Sequence, residues 1–168
     1  MTQLKAWRDA GLVDLTISIN LSAIQFAMAD LPETMTRMAR EIGVPASFIE
    51  FELTEAAALA NPEAALQSMK ELRSAGFLLA IDDFGTGYAS MSYLKQFDVQ
   101  TLKIDQSLIS GVETDARDRS IVETIIHLAH GLDMTALAEG VEEDLQLKVI
   151  EELGCDKVQG YVFSHPLE

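Results

Sequence analysis

Cysteine is nearly missing from this sequence, since Cys155 is the only one among 168 residues. A single cysteine excludes a disulfide framework and a zinc site built from cysteines, and it favours a reducing compartment, so we expect a cytoplasmic protein. No apolar run approaches the ~18 residues that a membrane span needs. The first residues also lack the charged and then apolar layout of a signal peptide. The sequence therefore predicts no membrane contact.

Basic residues are scarce as well: 12 Lys and Arg stand against 27 Asp and Glu, which gives a formal net charge of −15. Nucleic acids and anionic membrane surfaces need a basic face, so neither is expected as the main partner. The 48% of hydrophobic residues suffices for a core and excludes intrinsic disorder. Because linkers, repeats and low-complexity tracts are missing, we expect one domain over residues 1–168.

Short apolar runs that favour β-strands alternate with longer segments of helical periodicity. The six runs are Leu15–Leu21, Phe48–Leu53, Phe77–Ile81, Thr101–Ile104, Met134–Ala138 and Lys157–Phe163. Asn61 and Pro62 predict the start of one intervening helix. Gly76, Gly131 and Gly154 are placed just past helix ends, where a left-handed residue is wanted. This alternation predicts an α/β fold with a parallel sheet, either open or closed into a barrel.

Polar residues at the carboxyl ends of all six runs favour the barrel, because a barrel gathers every strand end around one axis. They are Asn20, Glu52, Asp82 with Asp83, Lys103, Glu139 and Gln159. A complete (β/α)8 barrel takes about 250 residues, so we expect a TIM-type (β/α)8 barrel of which about six βα units are present. The sequence opens with a helix, which suggests that the missing units lie on the N-terminal side. Six strands would leave two parallel edges, so we expect this stretch alone to be oligomeric, marginally stable or prone to aggregation unless the missing units come from elsewhere.

The strand ends carry an all-oxygen set of possible metal ligands: Asn20, Glu52, Asp82, Asp83 and Glu139. Hard cations such as Mg²⁺ or Mn²⁺ prefer such ligands, and carboxylates crowded around one mouth would repel each other without cations. Two ions can activate a water and stabilise the leaving oxygen of a phosphoester. Lys103 is suited to orient the nucleophile or hold a phosphate oxygen. The pattern predicts a phosphohydrolase with two metal ions, on a substrate that these residues alone leave open.

A glycine-containing loop follows the paired aspartates and consists of Gly85, Thr86, Gly87 and Tyr88 after Phe84. Its two glycines permit close backbone approach and mobility, so we expect this loop to contact the substrate.

Six motifs in order, spanning about Trp7 to Pro166, resemble those of the EAL-domain family of bacterial cyclic di-GMP phosphodiesterases. They are Ser-Ile-Asn20-Leu-Ser, Glu52-Leu-Thr-Glu55, Asp82-Asp83-Phe-Gly-Thr-Gly-Tyr, Lys103-Ile-Asp105, Ala-Glu139-Gly-Val-Glu142 and Gln159-Gly-Tyr-x-Phe-Ser-x-Pro. The resemblance implies a TIM barrel that hydrolyses cyclic di-GMP to linear pGpG with Mg²⁺ or Mn²⁺. It also implies a homodimer and upstream sensor or GGDEF-type domains in the parent protein.

Position by position, the resemblance implies metal ligands at Asn20, Glu52, Asp82 and Asp83, and Lys103 near the attacking water. Glu139 and Gln159 would be further groups around the metal or water, and Glu55 would brace the loop after Asp83. Asp105 and Glu142 would support these groups from behind. All of these residues belong to the motifs quoted above.

One motif of the family is missing, the Glu-Ala-Leu near the start of the domain, whose glutamate is a metal ligand. Two interpretations follow. The chain is either most of the catalytic barrel of a phosphodiesterase or a catalytically inactive cyclic di-GMP receptor that relays ligand occupancy to a partner.

Overall fold

The computed structural model describes residues 1–87 and 91–165, which fold as two compact units. The first unit comprises Met1–Ala80 and Ser90–Val99, and the second comprises Ile81–Ala89 and Gln100–Glu168. Among the helices of the described residues, none has the length and apolarity needed to cross a membrane.

The first unit is built from two βα repeats with a leading helix. Its elements are α1 (Thr2–Asp9), β1 (Ile17–Asn20), α2 (Ala23–Phe26), α3 (Leu31–Ile42), a 3-10 turn (Ala46–Phe48), β2 (Ile49–Thr54), α4 (Glu55–Ala60), α5 (Pro62–Ser74), the start of β3 (Leu78–Phe84) and α6 (Met91–Leu94). The rings of Phe51 and Phe77 pack 5.0 Å apart, and both side chains are buried. Burying each such ring contributes about 2–3 kcal/mol, so this pair anchors β2 to the segment that leads into β3.

The second unit continues the alternation from the end of β3. Its elements are β4 (Thr101–Ile104), α7 (Gln106–Ile109), α8 (Ala116–Gly131), β5 (Thr135–Glu139), α9 (Asp144–Glu152) and β6 (Lys157–Gln159). Every residue of β4 is buried, whereas alternate residues of β5 are buried. The apolar residues Leu102, Ile104, Ala136 and Ala138 are fully buried and form the sheet side of this unit's core.

The six strands follow each other in the sheet in sequence order, β1 to β6. Parallel pairing sets Asn20 beside Glu52 on β1 and β2, Lys103 beside Leu137 on β4 and β5, and Glu139 beside Gln159 on β5 and β6. The six strands match the six predicted runs, although β6 ends at Gln159 rather than at Phe163. The polar residues therefore lie at or near the carboxyl ends of strands, as predicted.

The predicted role of Gly131 is wrong. Gly131 is the last residue of α8, and the left-handed residue that follows is Asp133, with a φ of 58°. Aspartate adopts this conformation more readily than most residues, and the helix therefore ends two residues later than a cap at Gly131 would require. Gly76 and Gly154 do have positive φ, as predicted.

Candidate functional site

Asn20 and Glu52 lie side by side in the first unit, at the carboxyl ends of β1 and β2. They are register partners, so their side chains leave the same face of the sheet. The backbone N–H of Leu21 donates to the carbonyl of Glu52 at 2.8 Å, which extends the pairing one residue beyond the strand. Glu52 is buried and Asn20 is exposed. Their role as metal ligands stays a prediction.

Glu55, also in the first unit, is buried at the first position of α4. Thr54 caps this helix by accepting a hydrogen bond from the Ala57 N–H at 3.2 Å, which fixes the turn between β2 and α4. A carboxylate in the first turn of a helix is favoured by the helix dipole. The predicted bracing of the loop after Asp83 is not tested by these contacts.

Three carboxylates meet in the second unit. Oxygen atoms of Asp82, Asp83 and Glu139 all lie within 4.8 Å of one another. Asp82 and Asp83 come from the end of β3, and Glu139 is the last residue of β5. The backbone supports the pair of aspartates, because the Asp83 N–H donates to Asp82 Oδ1 at 3.1 Å.

Lys103 joins two of these carboxylates. Its Nζ lies 2.7 Å from Glu139 Oε1 and 3.2 Å from Asp82 Oδ1, and the side chain is only 3% exposed. Burial raises the pKa of Glu139 to about 7, although the ammonium of Lys103 acts in the opposite direction. A carboxyl group with such a pKa can hold or release a proton near neutral pH.

Asp83 has an unusual backbone, with a φ of 55°. Holding a residue that is not glycine in this region costs on the order of 1 kcal/mol and is common at functional sites. Burial first, and the negative charges of Asp82 and Asp105 second, raise the pKa of Asp83 above its usual range. The chain thus turns at Asp83 in a way that aims a second carboxylate at the same point as Asp82.

A cleft of about 290 Å³ opens over this cluster within the second unit. Its lining includes Asp83, Glu139 and Gln159 of the predicted site, together with Asp105 and Glu142. Four further lining residues were not predicted as site residues: Gln106, Gly140, Gly160 and Tyr161. Gly140, Gly160 and Tyr161 belong to the motifs at the ends of β5 and β6, and Gln106 directly follows the motif Lys103-Ile-Asp105, so the signal was their place within or next to these motifs.

The glycine loop begins with a turn that is backed by apolar side chains. Gly85 has a φ of 101°, and a Cβ there would meet Leu108 Cδ1 at 2.7 Å. Thr86 donates its hydroxyl to the Asp83 carbonyl at 3.0 Å. Gly85, Thr86 and Gly87 are exposed, and Tyr88 lies outside the described residues. Substrate binding by this loop stays a prediction.

The chemistry of the carboxylate cluster fits a hard divalent cation. All donors are oxygens, as Mg²⁺, Mn²⁺ and Ca²⁺ prefer, and ligand distances of about 2.0–2.6 Å place two oxygens on one ion no more than ~5 Å apart. The observed separations of at most 4.8 Å meet this condition. One ammonium against three carboxylates leaves a net negative charge that a cation would balance.

Comparison with known proteins places this geometry in context. The chain is 42% identical over 160 residues to an uncharacterized protein of Azorhizobium caulinodans, covering 95% of the chain and 22% of that protein. It is 36% identical over 165 residues to the bifunctional diguanylate cyclase/cyclic di-GMP phosphodiesterase MucR of Pseudomonas aeruginosa, covering 98% of the chain and 24% of MucR. The chain thus spans about a fifth to a quarter of the length of these relatives.

A solved structure, the PaMucR phosphodiesterase in complex with c-di-GMP, superposes with a TM-score of 0.95 at 36% identity. The match covers 99% of this chain and 67% of that one. It confirms the predicted fold class, an α/β barrel fold, of which the described residues contain six parallel strands. The family model for the EAL domain matches residues 1–166, and the chain therefore belongs to the EAL domain family.

Proposed function

We propose that this chain is the catalytic part of a divalent-metal-dependent phosphodiesterase that hydrolyses cyclic di-GMP to linear pGpG. One observation carries the proposal: three carboxylates and a buried lysine converge in a cleft at the strand ends of an EAL domain. Cyclic di-GMP is a phosphodiester, and an acidic chain needs positive charge at its site to receive such an anion.

Asp82 and Asp83 are the proposed cation ligands of the second unit, with Glu139 and Gln159 beside them on paired strand ends. Asn20 and Glu52 are the proposed ligands of the first unit. Mg²⁺ or Mn²⁺, with two ions expected, would supply charge stabilisation of the phosphoryl oxygens and lower the pKa of a water.

Lys103 and Glu139 are the proposed proton-handling pair. The ammonium of Lys103 is buried and held between Asp82 and Glu139, so its position is fixed before substrate arrives. Glu139, whose carboxylate contacts Lys103 and whose pKa is raised to about 7 by burial, is the proposed acceptor of a proton from the attacking water. Hydrolysis adds one water, breaks one P–O3′ bond and leaves a 5′-phosphate and a free 3′-hydroxyl.

The wider setting is also part of the proposal. A cytoplasmic location accords with the single cysteine. A homodimer and an upstream sensor or GGDEF-type domain are the proposed partners. MucR offers a precedent for the latter, because it is named as a bifunctional diguanylate cyclase and phosphodiesterase.

The test is chromatography of cyclic di-GMP after incubation with the chain and Mn²⁺, with a chelator in the control. We expect pGpG only when the metal is present. The Asp82→Asn variant keeps the size of the side chain but loses its charge, so turnover should fall at least about a hundredfold, the scale on which charge-stabilising groups act. Asp98→Asn is the matched control, because Asp98 is exposed and pairs only with Arg73 in the described contacts.

Undiminished hydrolysis of cyclic di-GMP by Asp82→Asn would contradict the proposed function. If cyclic di-GMP raises the melting temperature of the folded chain but no product forms, the receptor interpretation takes its place.

A further inference from the structure

Gln106 lies in the cleft without a role in the chemistry described above. It is the first residue of α7, three positions after Lys103 and directly after Asp105. Its side chain lies flat against the loop after β5: a Cβ on Gly140 would meet Gln106 Cγ at 2.3 Å and Cδ at 2.6 Å. Gly140, with a φ of 67°, thus makes room for the glutamine.

The amide of Gln106 reaches across this loop to Glu142. Its Nε2 donates to Glu142 Oε1 at 3.3 Å. The backbone of Glu142 is held independently, because its N–H donates to Oε1 of the buried Gln146 at 2.8 Å. Glu142 is therefore fixed at its main chain by one glutamine and at its carboxylate by another.

We propose that Gln106 is a positioning residue that holds the Glu142 carboxylate at the cleft as a hydrogen-bond acceptor for N–H donors on a nucleobase of the substrate. This inference rests on the proposed function, which supplies a cyclic dinucleotide as substrate. A carboxylate only accepts hydrogen bonds and repels phosphate, so Glu142 suits the edge of a base and not the phosphodiester.

The neutrality of Gln106 fits this role. Asp83, Asp105, Glu139 and Glu142 already line the cleft. A lysine or arginine at position 106 would also orient Glu142, but it would neutralise the charge that strengthens hydrogen bonds from a base. A glutamate there would repel Glu142. An amide orients the carboxylate and leaves it charged.

The experiment is a double-mutant cycle on the full chain with Mn²⁺ and cyclic di-GMP, using Gln106→Ala, Glu142→Ala and the double variant. We expect Gln106→Ala to raise KM about five- to tenfold with kcat within about twofold, the scale of one typical hydrogen bond lost at an exposed position. The double variant should match Glu142→Ala alone, because Gln106 acts through Glu142. Gln106→Glu should raise KM further than Gln106→Ala, since it adds a like charge.

A matched pair on the surface provides the control. Gln67 donates its side-chain amide to Glu71 one turn later on α5, and both are exposed. Gln67→Ala and Glu71→Ala break the same kind of hydrogen bond, so KM should stay unchanged. A merely structural effect would appear in both pairs.

Two outcomes would overturn the inference. One is a loss of kcat with KM intact in Gln106→Ala, and the other is a KM of the double variant that equals the product of the separate increases caused by Gln106→Ala and Glu142→Ala. Failure of the proposed function looks different, because the unaltered chain would then form no pGpG, whether or not it binds cyclic di-GMP. In that case the same four proteins are compared in urea unfolding. Coupling between the two substitutions would support the positioning of Glu142 by Gln106, and its absence would overturn it.

Discussion

At the scale of single residues, the cleft depends on a backbone contact at Gly160. A Cβ there would lie 2.0 Å from the Val141 carbonyl oxygen and 2.4 Å from its nitrogen. The same two loops exchange hydrogen bonds, from the Val141 N–H to the Gln159 carbonyl at 3.2 Å and from the Val162 N–H to the Val141 carbonyl at 3.0 Å. Because backbone cannot move aside as a flexible side chain can, Gly160 keeps Gln159 beside Glu139.

We expect Gly160→Ala to lower the free energy of unfolding by about 3 kcal/mol, since the added methyl must push two hydrogen-bonded loops apart. Turnover should fall with it, because Gln159 and Glu139 would separate. Urea unfolding followed by circular dichroism measures the first effect, and pGpG formation measures the second.

Gly131→Ala is the control for this prediction. Gly131 ends α8, is exposed, has no positive φ, and a Cβ there meets nothing within 4 Å. Alanine favours helix over glycine, so this change should be neutral or stabilise by up to about 1 kcal/mol. Equal effects at the two glycines would refute the argument from the backbone contact.

At the scale of elements, Asp156 ties the end of α8 to β5 and to the start of β6. Its Oδ2 accepts a hydrogen bond from the Ala136 N–H at 2.7 Å and lies 2.8 Å from His130 Nε2. Burial acts to raise the pKa of Asp156, but the hydrogen bonds from Ala136 and His130 and the charges of His130 and Lys157 outweigh it and lower the pKa. The ionised carboxylate is thus favoured by folding.

The stability that this junction supplies should depend on pH. A carboxyl group whose pKa is lowered by folding stabilises the native state above its unfolded value of about 3.9, and this contribution is lost as pH falls through the folded pKa. Asp156→Asn keeps an acceptor but loses the charge. Because the side chain is 41% exposed, we expect a loss below about 1 kcal/mol at pH 7 that begins to shrink below about pH 4 and vanishes once the pH has fallen below the folded pKa.

Urea unfolding of the unaltered chain and of Asp156→Asn between pH 7 and pH 3 tests this prediction. A difference in free energy of unfolding that stays constant over that range would contradict it. Asp156→Ala provides the comparison, because it also removes the acceptor for the Ala136 N–H. It should cost about 1 kcal/mol more, and that part should persist in acid.

The elements were largely predictable from the sequence, whereas the contacts between loops were not. β4 was predicted at its observed bounds, because strand propensity and apolar pattern are local properties. The meeting of Asp82, Asp83 and Glu139 was predictable because parallel strands bring their carboxyl ends to one edge. The place of Gln106 over Gly140, and of Gly160 against Val141, depends on how loops after different strands meet. The pattern of residues along the chain carries no information on how closely loops from different strands approach each other.

At the scale of the whole molecule, the excess of acidic residues should make stability depend on ions in two separable ways. The net charge of −15 opposes compaction by self-repulsion, and monovalent salt screens this repulsion. A cation that binds the native carboxylate cluster acts differently, because it stabilises the folded state by mass action.

We therefore expect MnCl₂ to raise the melting temperature more than NaCl at the same ionic strength. The cluster of Asp82, Asp83 and Glu139 exists only in the folded chain, so an ion bound there stabilises that state. When the free Mn²⁺ concentration is a hundred times the dissociation constant, binding adds about 2.7 kcal/mol to the free energy of unfolding. Scanning calorimetry in the two salts measures the difference. Asp82→Asn should abolish the excess shift, and Asp98→Asn, which removes the same charge at an exposed position, should preserve it. Equal shifts in both salts for the unaltered chain would mean that the cations only screen charge, and that the cluster binds no divalent ion in the folded chain.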